Sequence, residues 1–256
     1  MCLRLLLLLL SFGIGASGAS ARDLPAVFHS SPHIELGFGG DRLTRGYSNW
    51  RHQYLDVLIP MAERGLLLMQ GLQADRFASS DQSLGATYAY PTPAGILSAD
   101  IALSHQPVFL ARDVAGAAWT GFLPGGVNLL LNARRSRFAD SETMNHGIGL
   151  EAYRNAFRFS ALATHSKLEH RQSGWVRRWQ AQWFGETNRA GFTYASGSEP
   201  TMLSPGRLTG ADIETVQVDG VFSLGSGYAL TTALWRSRQG EFYHRTGIQL
   251  GVRISF

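Results

Sequence analysis

The residues in this chain best equipped for chemistry are its histidines and a row of arginines. The chain holds eight histidines, of which His165 and His170 flank Ser166 and Glu169. A serine hydroxyl next to an imidazole suggests acyl hydrolysis, with histidine as base for the attacking oxygen. The pair is poorly placed for that: neighbours in an extended segment point to opposite faces, and a nucleophile must lie within hydrogen-bond reach of its base. No two histidines have the tight spacing of a zinc motif, and Cys2 is the only cysteine. The sequence therefore assigns no catalytic residue, no metal and no cofactor. The second set is charged: Arg134, Glu151, Arg158, Arg178, Asp219, Arg245 and Arg253, with Gln249 among them, all on the polar face of alternating runs. Lys167 is the only lysine, and the net charge is +4. Such a balance could serve a nucleic acid, but no basic helix or binding motif accompanies it, so no nucleic-acid partner is expected.

The elements that carry these residues are strands. Apolar and polar residues alternate with period two in runs at 33–40, 50–59, 66–75, 83–90, 96–104, 114–122, 127–134, 144–153, 157–164, 175–184, 190–196, 215–224, 228–238 and 242–256; helical spacing would set apolar residues three and four apart. The last run is the clearest. Ile248, Leu250, Val252, Ile254 and Phe256 share one face, and Arg245, Gln249, Arg253 and Ser255 the other. Leu130 departs from the alternation of its run.

Residues 1–21 read as a cleaved secretory signal: Arg4, the apolar stretch from Leu5 to Leu10, and the small residues Ala19-Ser20-Ala21. Residues 22–32 follow as a periplasmic segment and 33–256 as one domain. No later stretch is apolar enough for a membrane helix, whereas about fourteen alternating strands suit an antiparallel up-and-down transmembrane β-barrel of the all-β class. One miscounted hairpin would make it twelve or sixteen. With the amino terminus in the periplasm, the connections after even-numbered strands are short, and those after odd-numbered strands include the three longest, 41–49, 106–113 and 197–212. Short periplasmic turns and long outer loops are the usual asymmetry of such barrels.

A barrel gives the two faces their meaning. Arginine facing lipid costs roughly 2–4 kcal/mol at the midplane, so the charged set and Gln249 are candidates to line the lumen. They would either pair among themselves and fill it or form a basic path for anionic solutes. Trp175, Trp179, Trp183, Ile248, Leu250, Val252, Ile254 and Phe256 are candidates for lipid contact, with Trp50, Trp175, Trp183, Trp235 and Phe256 suited to an interfacial girdle. Stacking on a saccharide is the other use of the indoles.

Two resemblances refine this reading. A long alternating strand ending on an aromatic residue, Phe256, resembles the closing strand of bacterial outer-membrane barrels. That implies an integral outer-membrane location, outer-membrane lipids as surroundings, and recognition of the last strand by the barrel-assembly machinery. The segment from Gly46 to Asp56, with Trp50, Tyr54 and Leu55 after a glycine-rich first strand at 34–40, resembles the YaiO family of outer-membrane barrels. The family implies location more than chemistry, with a hint of a polysaccharide connection. The functions to be weighed are a narrow passive pore or export conduit, a closed barrel whose outer loops bind a partner (197–212 above all), and a lipid hydrolase using Ser166 and His165.

Overall fold

The structure is a computed structural model that describes residues 31–61, 65–168, 173–204 and 207–256. The expected signal segment lies outside the described residues, as do His29, Glu169, His170 and the turn at 62–64. Fourteen antiparallel strands close into a barrel in which each pairs with its sequence neighbours and the first meets the last. They are β1 His33–Leu43, β2 Trp50–Met61, β3 Gly65–Arg76, β4 Ser79–Thr92, β5 Gly95–Ser104, β6 Asp113–Leu123, β7 Val127–Arg137, β8 Glu142–Arg154, β9 Phe157–Leu168, β10 Ser173–Phe184, β11 Arg189–Ser204, β12 Arg207–Gly225, β13 Tyr228–Gln239 and β14 Tyr243–Ser255. Around the closed ring every strand has a partner on both sides, the condition for strands to cross a bilayer.

Burial follows the alternation. Exposed side chains on the outside are large and apolar, among them Phe38, Leu84, Ile101, Leu103, Ile148, Phe159, Trp175 and Leu234. Buried residues inside are mostly polar or charged. This is the reverse of a water-soluble sheet packing an apolar core, and it is the arrangement a bilayer requires. Leu130 obeys the alternation after all: it points inward and is buried.

His33 and Ser255 pair at one end of the barrel, here the terminal rim; the other end is the distal rim. The two longest described connections, 44–49 and 105–112, are both distal. The third expected long loop is not a loop. Residues 197–204 and 207–212 lie within β11 and β12, which stay paired from Arg189 opposite Val221 to Ser204 opposite Arg207. Pro200 and Gly210 read as breakers but face each other in this hairpin. Pairing of β10 with β11 ends at Val176 opposite Gly197, so beyond that point β11 is an edge, where a proline's missing N–H breaks no ladder. The stretch between the runs expected at 66–75 and 83–90 is likewise only a two-residue turn, with φ of 51° at Phe77 and 58° at Ala78, matching the twist of a tight hairpin.

Candidate functional site

The candidate site is the barrel interior, and it has three parts. The first lies across the seam where β14 meets β1. Inward glycines leave these strands nearly flat inside: a Cβ on Gly37 would sit 2.4 Å from the Tyr54 ring, and one on Gly251 2.4 Å from its hydroxyl. The Tyr54 side chain from β2 thus lies over both strands, donating its hydroxyl to Glu35 Oε1 at 2.8 Å and meeting Thr231 Oγ1 of β13 at 3.4 Å. From the other side Trp235 lies over Gly247 and donates its indole N–H to Asp41 at 2.6 Å. His52 Nε2 hydrogen-bonds Gln249 Oε1 at 3.2 Å. Side chains from the flanking strands therefore strap the closure from within.

The second part is a set of ion pairs. Arg158 donates through Nε to Glu151, which also accepts from Asn128 Nδ2 at 3.1 Å, while Arg158 Nη1 donates to Gln182 at 2.8 Å. Arg134 pairs with Asp100 at 3.3 Å, Arg189 with Asp219 at 3.6 Å, Arg245 with Asp41 at 3.2 Å and Arg253 with Glu35 at 3.4 Å. Arg178 faces Glu199 within electrostatic range. Each inward arginine named at the outset thus stands against a carboxylate. Between them, β9 to β13 carry uncharged polar groups: Ser160 bonds Gln180 at 3.3 Å, Gln180 donates to Thr193 at 3.2 Å, and Thr215 bonds Ser237 at 2.8 Å.

The third part closes the distal mouth. The carboxylate of Asp81 accepts the backbone N–H groups of Val108 (2.9 Å), Phe109 (2.7 Å) and Leu110 (2.8 Å). This ties the 105–112 connection inward, where Phe109 and Leu110 bury against Ala74, Leu72 and Phe77. Phe77 in turn meets Trp50 edge-on at 5.5 Å, and Trp50 meets Tyr243 at 5.7 Å. The Arg76 guanidinium lies 4.6 Å from the Trp50 ring and 5.4 Å from that of Phe109, a cation–π arrangement strengthened by burial. The β11–β12 hairpin covers the opposite side. Above Gly197 it pairs only with itself, yet Glu199 and Ala211 on its inner face are buried, so it leans over the lumen.

Of the residues singled out from sequence, Arg134, Glu151, Arg158, Arg178, Arg245 and Gln249 are buried inside, and Asp219 and Arg253 are half-buried there. Trp175, Trp179, Trp183, Ile248, Val252, Ile254 and Phe256 are exposed outside, and Leu250 is half-buried on the same face. Leu55 is also exposed outside, whereas Tyr54 is buried. Two girdle assignments are wrong: Trp50 and Trp235 are each only 4% exposed and point inward, because the even positions of β2 and the odd positions of β13 face the lumen. Ser166 is buried inside while the His165 ring packs outside on Trp175 at 5.0 Å, so the two cannot act as nucleophile and base. Glu35, Asp41, Asp81, Asp100 and Glu199 were missed as interior acids; carried across every run, the alternation would have found Glu35 and Asp100, whereas Asp41, Asp81 and Glu199 fell in stretches read as loop.

No protein-family model matches the sequence, and neither does any curated protein. Solved structures do match. A bacterial polysaccharide outer membrane secretin aligns over 89% of this chain and 99% of its own, with a TM-score of 0.57 and 8% identity. Omp33, an outer membrane protein of Acinetobacter baumannii, aligns over 88% and 99%, at 0.53 and 9%. The translocator domain of the autotransporter NalP from Neisseria meningitidis aligns over 92% and 93%, at 0.51 and 8%. The chain has the fold of integral outer-membrane β-barrels. At such identities the likeness is one of fold, and the interior must speak for function.

Proposed function

We propose that this outer-membrane barrel is a narrow conduit for an uncharged polar solute of the saccharide class, closed at its distal mouth in the state described. The observation that carries this reading is the wall of amides and hydroxyls on β9 to β13, Ser160, Gln180, Thr193, Gln217, Thr215 and Ser237. Such groups donate and accept equally, so they can exchange their mutual hydrogen bonds for those of sugar hydroxyls without leaving a charge unpaired. A path for anions would need arginines without partners, and the interior arginines stand against carboxylates or, for Arg76, against aromatic rings. The polysaccharide association named for one fold neighbour agrees with this class.

We further propose a YaiO-type barrel. Support comes from the physical role of the residues that carry the resemblance: the glycine-rich first strand receives Tyr54, and Trp50 anchors the closed mouth.

Proteoliposome swelling tests the reading. Vesicles holding the folded protein should admit small saccharides faster than protein-free vesicles, and Gln180→Leu with Thr193→Val should slow entry without unfolding the barrel. Saccharide entry no faster than in empty vesicles would remove the conduit. The second reading, a permanently closed barrel with a binding surface at its distal rim, is favoured by the inward-tied 105–112 connection and would then stand.

A further inference from the structure

The outer surface of the barrel has a basic patch at the distal end of the seam. Arg236 of β13 and Arg42 of β1 both stand opposite Thr246 of β14, one on each side. With strands about 4.8 Å apart, the two arginines flank the threonine at roughly 10 Å backbone separation, and all three side chains are exposed. One step further out, His244 stands opposite Arg238. Arg51, also exposed and outward, lies on β2 opposite Gly40. Towards the membrane the same strands present Leu234, Ile248 and Phe38, all exposed and apolar. The patch therefore sits where the apolar belt ends, at head-group level.

What sets it apart is a pair of arginines across one threonine with no counter-charge among the described residues. On β7 of the same rim the protein neutralises two outward arginines, Arg135 with Glu142 at 2.5 Å and Arg137 with Asp113 at 2.7 Å; Arg177 of β10, also exposed and outward, has Ala163 and Ser196 opposite it rather than a second arginine nearby. Within the patch, Arg238 meets Glu214 at 3.7 Å and Arg51 has Asp75 opposite it in register; the nearby loops pair Arg45 with Glu241 at 3.7 Å. No carboxylate among the described residues pairs with Arg42 or Arg236. The terminal rim presents aromatic rings instead, including Tyr90, Phe157, Trp183, Tyr228 and Phe256.

We propose that Arg42, Thr246 and Arg236 form a binding site for the phosphate of an anionic lipid head group in the leaflet at the distal rim. Two guanidinium forks and a hydroxyl offer convergent donors to phosphate oxygens, while Leu234, Ile248 and Phe38 below receive the acyl chains. The site would hold an annular lipid against the seam and bias which rim faces the phosphate-rich leaflet.

Native mass spectrometry tests this, using full-length protein taken from mixed phosphatidylglycerol and phosphatidylcholine vesicles. The unaltered protein should retain phosphatidylglycerol over phosphatidylcholine by roughly tenfold, as two basic side chains near an anionic surface allow. Arg42→Gln with Arg236→Gln should bring the ratio near parity, whereas Arg135→Gln with Arg137→Gln should leave it high. Arg236→Gln alone, an exposed change that spares the interior, should lower the ratio severalfold, so misfolding of the double variant would not shelter the proposal. Added inorganic phosphate should fail to displace the lipid. An unchanged ratio in the Arg236 variant would overturn the site, and displacement by inorganic phosphate would overturn its assignment to lipid.

Discussion

The two walls of the barrel interior solve different problems. On the seam wall, β13–β14–β1–β2, glycines lie beneath aromatic side chains, and Tyr54 and Trp235 bond to the buried acids Glu35 and Asp41. On the far wall, β8 to β12, the layers are amides, hydroxyls and a few ion pairs, most of them buried. The seam is fastened by shape, since each large ring fits only where a neighbour has no side chain. The far wall is held by hydrogen bonds that can be exchanged for others. A barrel that must join its first and last strands yet offer a polar track would divide its interior in this way.

The largest effect on closure should come from filling the seam. Gly251→Val puts carbon where the Tyr54 hydroxyl and Thr231 lie, within 2.6 Å, and overpacking of this kind costs about 1–3 kcal/mol or more. Because the closing pair is affected, we expect loss of the heat-modifiable folded band on gels. On the far wall, Glu151→Ala leaves the Arg158 guanidinium buried without its carboxylate, a change worth about 3–5 kcal/mol, read as a lower midpoint in urea for protein folded into vesicles. If the Glu151 variant fails to form a barrel while Gly251→Val folds normally, the assignment of closure to the seam is reversed. On the outer face, Val252→Arg should cost roughly 2–4 kcal/mol, and Gln249→Arg, pointing inward from the same strand, should cost less; equal losses would argue against the two faces of β14. Tyr54→Phe, which removes one hydrogen bond to a buried carboxylate, should cost about 1.5–3 kcal/mol with the barrel still closed. The smallest effect on stability belongs to Gln180→Leu, whose consequence should appear in solute entry.

Much of this was legible in the sequence because a membrane barrel writes its two faces into alternate residues. A barrel of about fourteen strands and the two faces of β14 follow from period two. The errors have physical causes. Pro200 and Gly210 signal a break only if a neighbouring strand needs their hydrogen bonds, and the β11–β12 hairpin has outgrown its neighbours there. Trp50 and Trp235 suggested a girdle by residue type, but the parity of their strands turns them inward, where Phe77 and Asp41 receive them. Phe109 gave no signal at all: a loop residue becomes part of a lid only because Asp81, 28 positions away, gathers its backbone N–H groups. Long-range fastening of that kind has no period.

The most direct test of the conduit is single-channel recording in planar bilayers, comparing the unaltered protein with Asp81→Asn. The exchange removes the charge that holds the backbone N–H groups of residues 108–110 and should release the distal closure. The account predicts small, infrequent steps for the unaltered protein and larger, longer ones for Asp81→Asn. Silence from both, with correctly folded barrels in the membrane, would contradict it.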